Sequence, residues 1–446
     1  MQNCRTFVRF IFSGGTSMRT ILHADLNSCY ASVECAINPE YRKVPLAVGG
    51  EKELRHGIIL AKNELAKQAG VRTGEAIWQA QKKCPNLVVV PPHYELYKDY
   101  CERARNIYLQ YSDMVESFGP DECWIDVTGS LHLFGDGETI AHLIRNRIRT
   151  ELDMTVSVGV SWNKIFAKFG SDYKKPDAVT VITPENYRDI VWPCPVCDLL
   201  FVGRATERTL RNRGIFTIGD IAQSGLQYMR NALGKNGEAL YIAASGEDRS
   251  TVKKYYEAEP IKSVGNSTTP PRDMKNMQDA RLVLYSLADS VAKRLRTYNL
   301  ACTGVQIHLR DTELHTLERQ KQFSHPVSTA YEICNAGLAL LQTHWDFHLP
   351  LRSIGIRGIN LVPAEKEFQV SLFKEEKQIQ NKEILEITAD GIREKYGKES
   401  ICRAVILSDS ILGQVNKASV TPIPFAAAMH REQHEEFKKT MQKGDL

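Results

Sequence analysis

The sequence predicts an α+β protein of several domains. Three observations lead there. The chain has 446 residues, more than a single hydrophobic core usually organises. From residue 21 to residue 172, short apolar strand-like runs are interleaved with helical stretches, and residues 261–362 repeat that alternation. Between the two regions, residues 184–253 read as helix alone. Hydrophobic content of 43% and charged content of 25% are those of a soluble globular protein. The formal net charge is only +4, so any nucleic-acid surface must be local. No apolar run approaches membrane-spanning length. Eleven cysteines are scattered along the chain. Several, such as Cys29, Cys123 and Cys334, lie in apolar runs, which suits a reducing cytosol. Cys194 and Cys197 have zinc-like spacing but no second pair nearby, and read as packing cysteines.

Residues 1–17 hold an apolar run, Phe7–Phe12, that is short for a signal peptide and lacks a clear cleavage site. Met18 stands directly before the first strand, so 1–17 reads as a disordered extension or a misplaced start. Ile21–Ala24 is an apolar strand that runs into Asp25. A carboxylate at the end of a buried strand is costly unless something binds it. Asn27-Ser28 then opens a helix, with Ser28 as its N-cap. Val44–Val48 and Gly57–Ala61 are short buried strands, and Asn63–Ala69 is a helix stopped by Gly70. A helix over 93–111 leads into a β-hairpin. Its strands are Met114–Phe118 and Cys123–Val127, and Gly119-Pro120 supplies the turn. Glu138–Thr150 is a helix, Thr155–Ser161 a strand and Asn163–Asp172 a helix. With strand 21–26 these make a βαββαβ-like unit with its acids on one face.

Those acids carry the chemistry. Asp121 and Glu122 sit side by side just past the turn. Two carboxylates that close raise each other's pKa unless a cation lies between them. By themselves they also fit a solvated turn. Asp25 changes the balance: if strand 21–26 lies beside the hairpin, Asp25, Asp121 and Glu122 form one cluster of hard oxygen ligands suited to Mg²⁺. The free N–H groups at the start of the following helix suit phosphate. Two metal ions on shared carboxylates are usual equipment for nucleotidyl transfer.

Asp25-Leu-Asn-Ser-Cys-Tyr-Ala-Ser-Val-Glu34, followed about ninety residues later by Asp121-Glu-Cys-Trp-Ile-Asp-Val-Thr128, resembles the Y-family (UmuC/DinB-type) translesion DNA polymerases. The resemblance runs from about Met18 to about Phe373. It implies a right-hand polymerase: palm 18–27 and 96–183, small fingers 28–95, a helical thumb 184–253, a linker 254–260, a βαββαβ little finger 261–362, and a tail 363–446. It implies a template-directed, error-prone polymerase acting in damage tolerance, with two Mg²⁺ held by Asp25 and Asp121 and completed by Glu122. Tyr30 matches the steric gate, whose ring leaves no room for a 2′-hydroxyl. Lys67 and Lys175 match positions that hold the triphosphate. At the first of these sites the family usually carries a Tyr and an Arg, and here Glu64 and Lys67 stand instead. Lys67 can neutralise phosphate, but without the bidentate fork of arginine. The family's Ser-Ile before the acidic pair is Gly119-Pro120 here, and Asn27 replaces a second acid-like residue.

Residues 200–215 resemble a helix-hairpin-helix, a motif that presents backbone N–H groups to a DNA phosphate. Phe201 replaces its first glycine. Arg204, Arg208, Arg211 and Arg213 form a basic stretch suited to a phosphate backbone, and a solvated amphipathic helix is the rival reading. Residues 261–362 carry twelve Lys/Arg against eight Asp/Glu, in keeping with a domain that touches DNA phosphates. Gln369-Val-Ser-Leu-Phe373 resembles the peptide by which bacterial polymerases dock on the sliding clamp, with Gln369, Leu372 and Phe373 as its contacts. The expected partners are primer–template DNA, deoxynucleoside triphosphates and the clamp, with no membrane, for a cytoplasmic monomer. Two alternatives stand beside this reading. One is another palm-type two-metal transferase or cyclase, and the other is a catalytically weak, polymerase-shaped DNA-binding accessory protein.

Overall fold

The computed structural model describes residues 18–50, 57–257, 260–364, 375–397 and 400–414. It begins with β1 (Ile21–Leu26), all six residues of which are buried. A strand paired on both sides and covered on both faces needs no polar alternation, which is why Ile21, Leu22, Ala24 and Leu26 tolerate no water. α1 (Cys29–Ile37) follows within two residues. Ser28 occupies its cap position but does not cap it. The Ser28 backbone is left-handed (φ 49°, ψ 42°) and its side chain makes no cap hydrogen bond. A capping residue needs extended backbone, and the sharp reversal from strand to helix denies it.

The next segment is a small sheet of β2 (Leu46–Gly49), β3 (Ile59–Lys62) and β4 (Val88–Val90), ordered β3-β2-β4, with α2 (Glu64–Gln68) and α3 (Ile77–Lys83). Asn63 caps α2 by accepting from the Ala66 N–H. Gly70 ends that turn at φ 83°. β4 was not expected from the sequence. Its three residues pair in parallel with β2, and a run so short has no period to read.

α4 (Tyr94–Leu109), β5 (Val115–Ser117), β6 (Glu122–Asp126), α5 (Leu131–Phe134), α6 (Gly137–Leu152), β7 (Val156–Ser161), α7 (Lys164–Tyr173) and β8 (Val179–Val181) complete the main sheet. Its order is β5-β6-β1-β7-β8. The βαββαβ-like unit is therefore present with an added edge strand, β8, three residues long. α7 lies directly on β7. A Cβ on Gly159 would meet the Ala167 carbonyl at 1.9 Å, so only glycine permits that approach, and the approach brings the polar side of α7 over β1 and β6.

Helices α8 (Tyr187–Ile190), α9 (Arg204–Arg211), α10 (Ile218–Gln223), α11 (Leu226–Leu233) and α12 (Lys235–Ala244) gather around Val191, Leu210, Ile218, Met229 and Leu240. The same cluster takes in Phe166 and Phe169 of α7. Residues 251–257 then run back along the hairpin. Val252 is buried with Ile21 and Trp124, and the Lys253 N–H donates to Glu116 Oε2 at 3.0 Å.

β9 (Ser263–Thr268), α13 (Met277–Thr297), β10 (Leu300–Asp311), β11 (Thr316–Val327), α14 (Ala330–His344) and β12 (Leu351–Pro363) form a second βαββαβ unit. Its sheet order is β11-β10-β12-β9. Val305, Ile307 and Leu309 face α13 and α14, and the alternate residues Gln306, His308 and Arg310 lie on the open side. α15 (Glu375–Tyr396) follows. Beyond it, Leu412 is fully buried in the core formed with α13. Residues 1–17, the peptide 369–373 and the polar end 425–446 lie outside the described residues.

Candidate active site

β1 and β6 pair antiparallel with Asp25 opposite Glu122. Cross-strand partners share a face, so this register alone sets the two carboxylates side by side. Asp121 closes the turn, its carbonyl accepting from the Leu26 N–H at 3.3 Å. Asp25 and Glu122 therefore stand side by side, with Asp121 next to them at the turn. Burial, and then the charges of Asp25 and Glu122, push the Asp121 carboxyl up to about 6. Burial also opposes ionisation of Glu122, but His23 and the Lys168 ammonium close beside it outweigh that and hold the carboxyl at about 2.

Two lysines close the cluster. Lys168 Nζ lies 3.1 Å from Asp25 Oδ2, 2.6 Å from Glu122 Oε2 and 3.0 Å from Asp172 Oδ2. Lys175 Nζ lies 2.6 Å from Asp25 Oδ2 and 2.7 Å from Asp172 Oδ1. Burial lowers the Lys175 pKa, but the surrounding carboxylates more than reverse it and the net shift is upward. Asn27 fixes the loop that carries Lys175. Its Oδ1 accepts from the Asp177 N–H at 2.8 Å and its Nδ2 donates to Ser157 Oγ at 2.9 Å. The residue that replaces a family acid thus ties two parts of the site together.

The cluster fits a hard divalent cation by its donor chemistry. The Asp121 carboxyl stays raised by burial first and then by the charges of Asp25 and Glu122, which Lys175 offsets only in part. As the side chains stand, no three His, Cys, Asp or Glu groups among the described residues surround one point closely enough to hold a metal ion. Asp25 and Glu122 are turned onto Lys168 instead.

Tyr30, five residues after Asp25, is half-buried. Its ring stacks on Tyr97 at 4.3 Å and 15° and meets Tyr94 edge-on at 6.1 Å. Lys67 lies on exposed α2 and pairs with Glu64 at 3.5 Å. Arg204, Arg208, Arg211 and Arg213 are all exposed. Arg211 is held by Glu207 at 2.9 Å. Phe201, in the place of a glycine, keeps a glycine-like backbone at φ 71° and is 71% exposed.

A model described as the impB/mucB/samB family matches residues 24–172, and the model of that family's C-terminal domain matches 261–372. A curated relative named DNA polymerase IV, from Acetivibrio thermocellus, is 48% identical over 397 residues, covering 89% of this chain and 100% of that one. The chain belongs to the Y-family of DNA polymerases. Another relative of the same name, from Clostridium acetobutylicum, is 33% identical over 395 residues, covering 87% of this chain and 98% of its own. Among solved structures, a Y-family DNA polymerase chimera of Dbh and Dpo4 is similar in fold, with a TM-score of 0.68 at 24% identity. The match covers 77% of this chain and 99% of the chimera. DinB from Sulfolobus solfataricus has a TM-score of 0.51 over the same shares, also at 24% identity. The α+β multidomain fold is that of this family. Among the described residues no helix is long and apolar enough to cross a membrane.

Three residues of this Y-family site escaped sequence reasoning. Lys168 was visible only as one of two lysines four apart on α7. Lys164 goes instead to Glu116, at 2.7 Å from both carboxylate oxygens, because α7 crosses the strands and its two lysines reach different ones. His23 is fully buried. Its Nε2 lies 3.4 Å from Glu122 Oε2 and its Nδ1 2.9 Å from Ser171 Oγ. A histidine in an apolar strand carries no signal until its neighbours are known. Asp172 shares both lysines, and an acid near the end of a helix carries no local signal of that.

Proposed function

We propose that the protein is a template-directed, error-prone translesion DNA polymerase that adds deoxynucleotides to a primer 3′ end. The observation behind the reading is the Asp25–Glu122 register with Asp121 beside it, in a chain 48% identical to a DNA polymerase IV. In this reading residues 18–27 and 96–183 are the palm, 28–95 the fingers, 184–253 the thumb, 254–260 the linker and 261–362 the little finger.

Asp25 and Asp121 hold two Mg²⁺ and Glu122 completes the second site. Magnesium there supplies a lower pKa for the primer 3′-hydroxyl and charge for the leaving oxygen. Lys168 and Lys175 now neutralise the carboxylates and are free to turn to phosphate when a cation takes over that task. Tyr30, backed by Tyr97, lies under the sugar and excludes a 2′-hydroxyl. Lys67 and Lys175 grip the triphosphate. Arg204, Arg208, Arg211 and Arg213 meet the duplex backbone. The protein acts as a monomer in the cytoplasm, and Gln369, Leu372 and Phe373 dock it on the sliding clamp, which raises its effective concentration at the primer end.

Primer extension with each nucleotide, on plain and damaged templates, tests the reading. Asp121→Asn and Glu122→Gln are expected to abolish extension while DNA affinity stays near wild type. Turnover like wild type in either variant would remove the metal assignment. For the clamp, deletion of 369–373 is expected to spare single-nucleotide insertion and remove stimulation by a loaded clamp. Stimulation that survives the deletion refutes that docking peptide.

A further inference from the structure

Arg105 heads the fully buried side chains by size. It lies on α4 at 1% exposure. Arginine does not lose its proton in proteins, so a whole positive charge is buried there. Its Nη1 donates to the Pro120 carbonyl at 2.9 Å. Its Nε and Nη2 have no hydrogen-bond partner among the described residues. Pro120 directly precedes Asp121. The guanidinium therefore holds the residue just before the acidic pair, from the side of the hairpin turned to α4.

The turn needs such support. Gly119 stands at φ 83° and Pro120 has no N–H, so neither offers a side-chain anchor. A single backbone hydrogen bond closes the hairpin end, from the Phe118 N–H to the Glu122 carbonyl at 2.8 Å. Burying a charge with most of its donors unused is unfavourable, and a leucine or methionine would pack at lower cost. A gain in placement of the acids accounts for the arginine.

We propose that Arg105 is a positioning residue for the Asp121–Glu122 pair, clamping Pro120 so that both carboxylates are held in place before metal and nucleotide arrive. The inference rests on the reading of those acids as metal ligands. Small displacements of catalytic groups cost up to about 100-fold in rate, which sets the scale of the expected effect.

The test is single-turnover insertion by the full-length protein with Arg105→Met and Arg105→Lys, at a series of Mg²⁺ concentrations and with melting curves. Arg105→Met is expected to melt no lower than wild type. Its kcat is expected to fall by up to about 100-fold with KM for nucleotide within about twofold, and the Mg²⁺ concentration for half-maximal rate to rise several-fold. Arg105→Lys keeps the charge but not the planar fork and is expected to lose about tenfold in kcat. A merely structural role would lower melting without moving the Mg²⁺ requirement. A folded Arg105→Met with the kcat and Mg²⁺ requirement of wild type overturns the inference. Should Arg105→Met fail to fold, Arg105→Lys decides: a tenfold loss at normal melting supports the clamp, and a kcat like wild type overturns it. Asp121→Asn is measured alongside. If it is active, the metal reading has failed; if it is inactive while the Arg105 variants behave like wild type, only the clamp has failed.

Discussion

Asp25 on β1 stands directly across the antiparallel ladder from Glu122 on β6. Ninety-seven positions apart in the chain, they become neighbours through one strand pairing. A slip of one residue would turn one of them to the opposite face of the sheet. The hairpin also delivers Asp121 to the same end, and the three negative charges meet two lysines from α7 and the loop after it.

The raised Asp121 carboxyl has a consequence for stability. Its folded pKa of about 6 lies above the ordinary 3.8, so between those values the folded state binds more protons than the unfolded. Stability then falls as pH rises through that window. Above it, ionised Asp121 costs about 3 kcal/mol without a cation. Asp121→Asn is expected to raise the melting temperature of metal-free protein at pH 7.5, with the difference vanishing near pH 4. Added Mg²⁺ is expected to stabilise wild type and not the variant. Equal melting of the two proteins at pH 7.5 in chelator contradicts this account of the site.

Tyr30 stacks on Tyr97 through its ring and not its hydroxyl. Tyr30→Phe is therefore expected to keep wild-type sugar selectivity. Tyr30→Ala opens space below the sugar and is expected to raise ribonucleotide insertion relative to deoxyribonucleotide. An unchanged ratio in the alanine variant makes Tyr30 a packing residue only.

Lys67 and Lys175 differ in setting. The first is exposed and loosely paired to Glu64 at 3.5 Å, and such a surface pair contributes little. The second is bonded to Asp25 and Asp172 inside the cluster. Lys67→Ala is expected to raise KM for nucleotide modestly, with Lys67→Arg tolerated. Lys175→Ala is expected to have the larger effect. Steady-state kinetics check the order, and no change in KM for Lys67→Ala leaves the grip to Lys175.

Glu386 of α15 is buried to 6% exposure. It accepts from the Ala330 N–H at 2.8 Å, from Arg296 at 2.8 Å and from Arg403 at 2.9 Å. It thereby covers the start of α14 and balances two guanidinium groups. Glu386→Ala is expected to destabilise the domain by roughly 3–5 kcal/mol, because the arginines lose a buried partner. Denaturant unfolding measures this. An unaltered midpoint shows that α15 contributes no stability through this contact.

Much of this protein was legible in its residues alone. The apolar strand ending at Asp25 and the turn placing Asp121 next to Glu122 follow from local chemistry, and so do the two alternating segments on either side of a helical one. These patterns survive folding because they depend on near neighbours. Short β4 and β8 were not legible, since three residues have no period. The cap at Ser28 failed because the strand-to-helix reversal demanded a left-handed residue there. Only the tertiary structure decided which lysine meets the acids. Lys164 and Lys168 have the same chemistry and lie one helical turn apart, and the glycine contact of α7 on β7 determines which strand each one reaches. It also decided that His23 and Arg105, unremarkable in the chain, lie behind the acidic pair, because burial and partner choice arise from strand register and helix placement, which no local stretch of sequence contains.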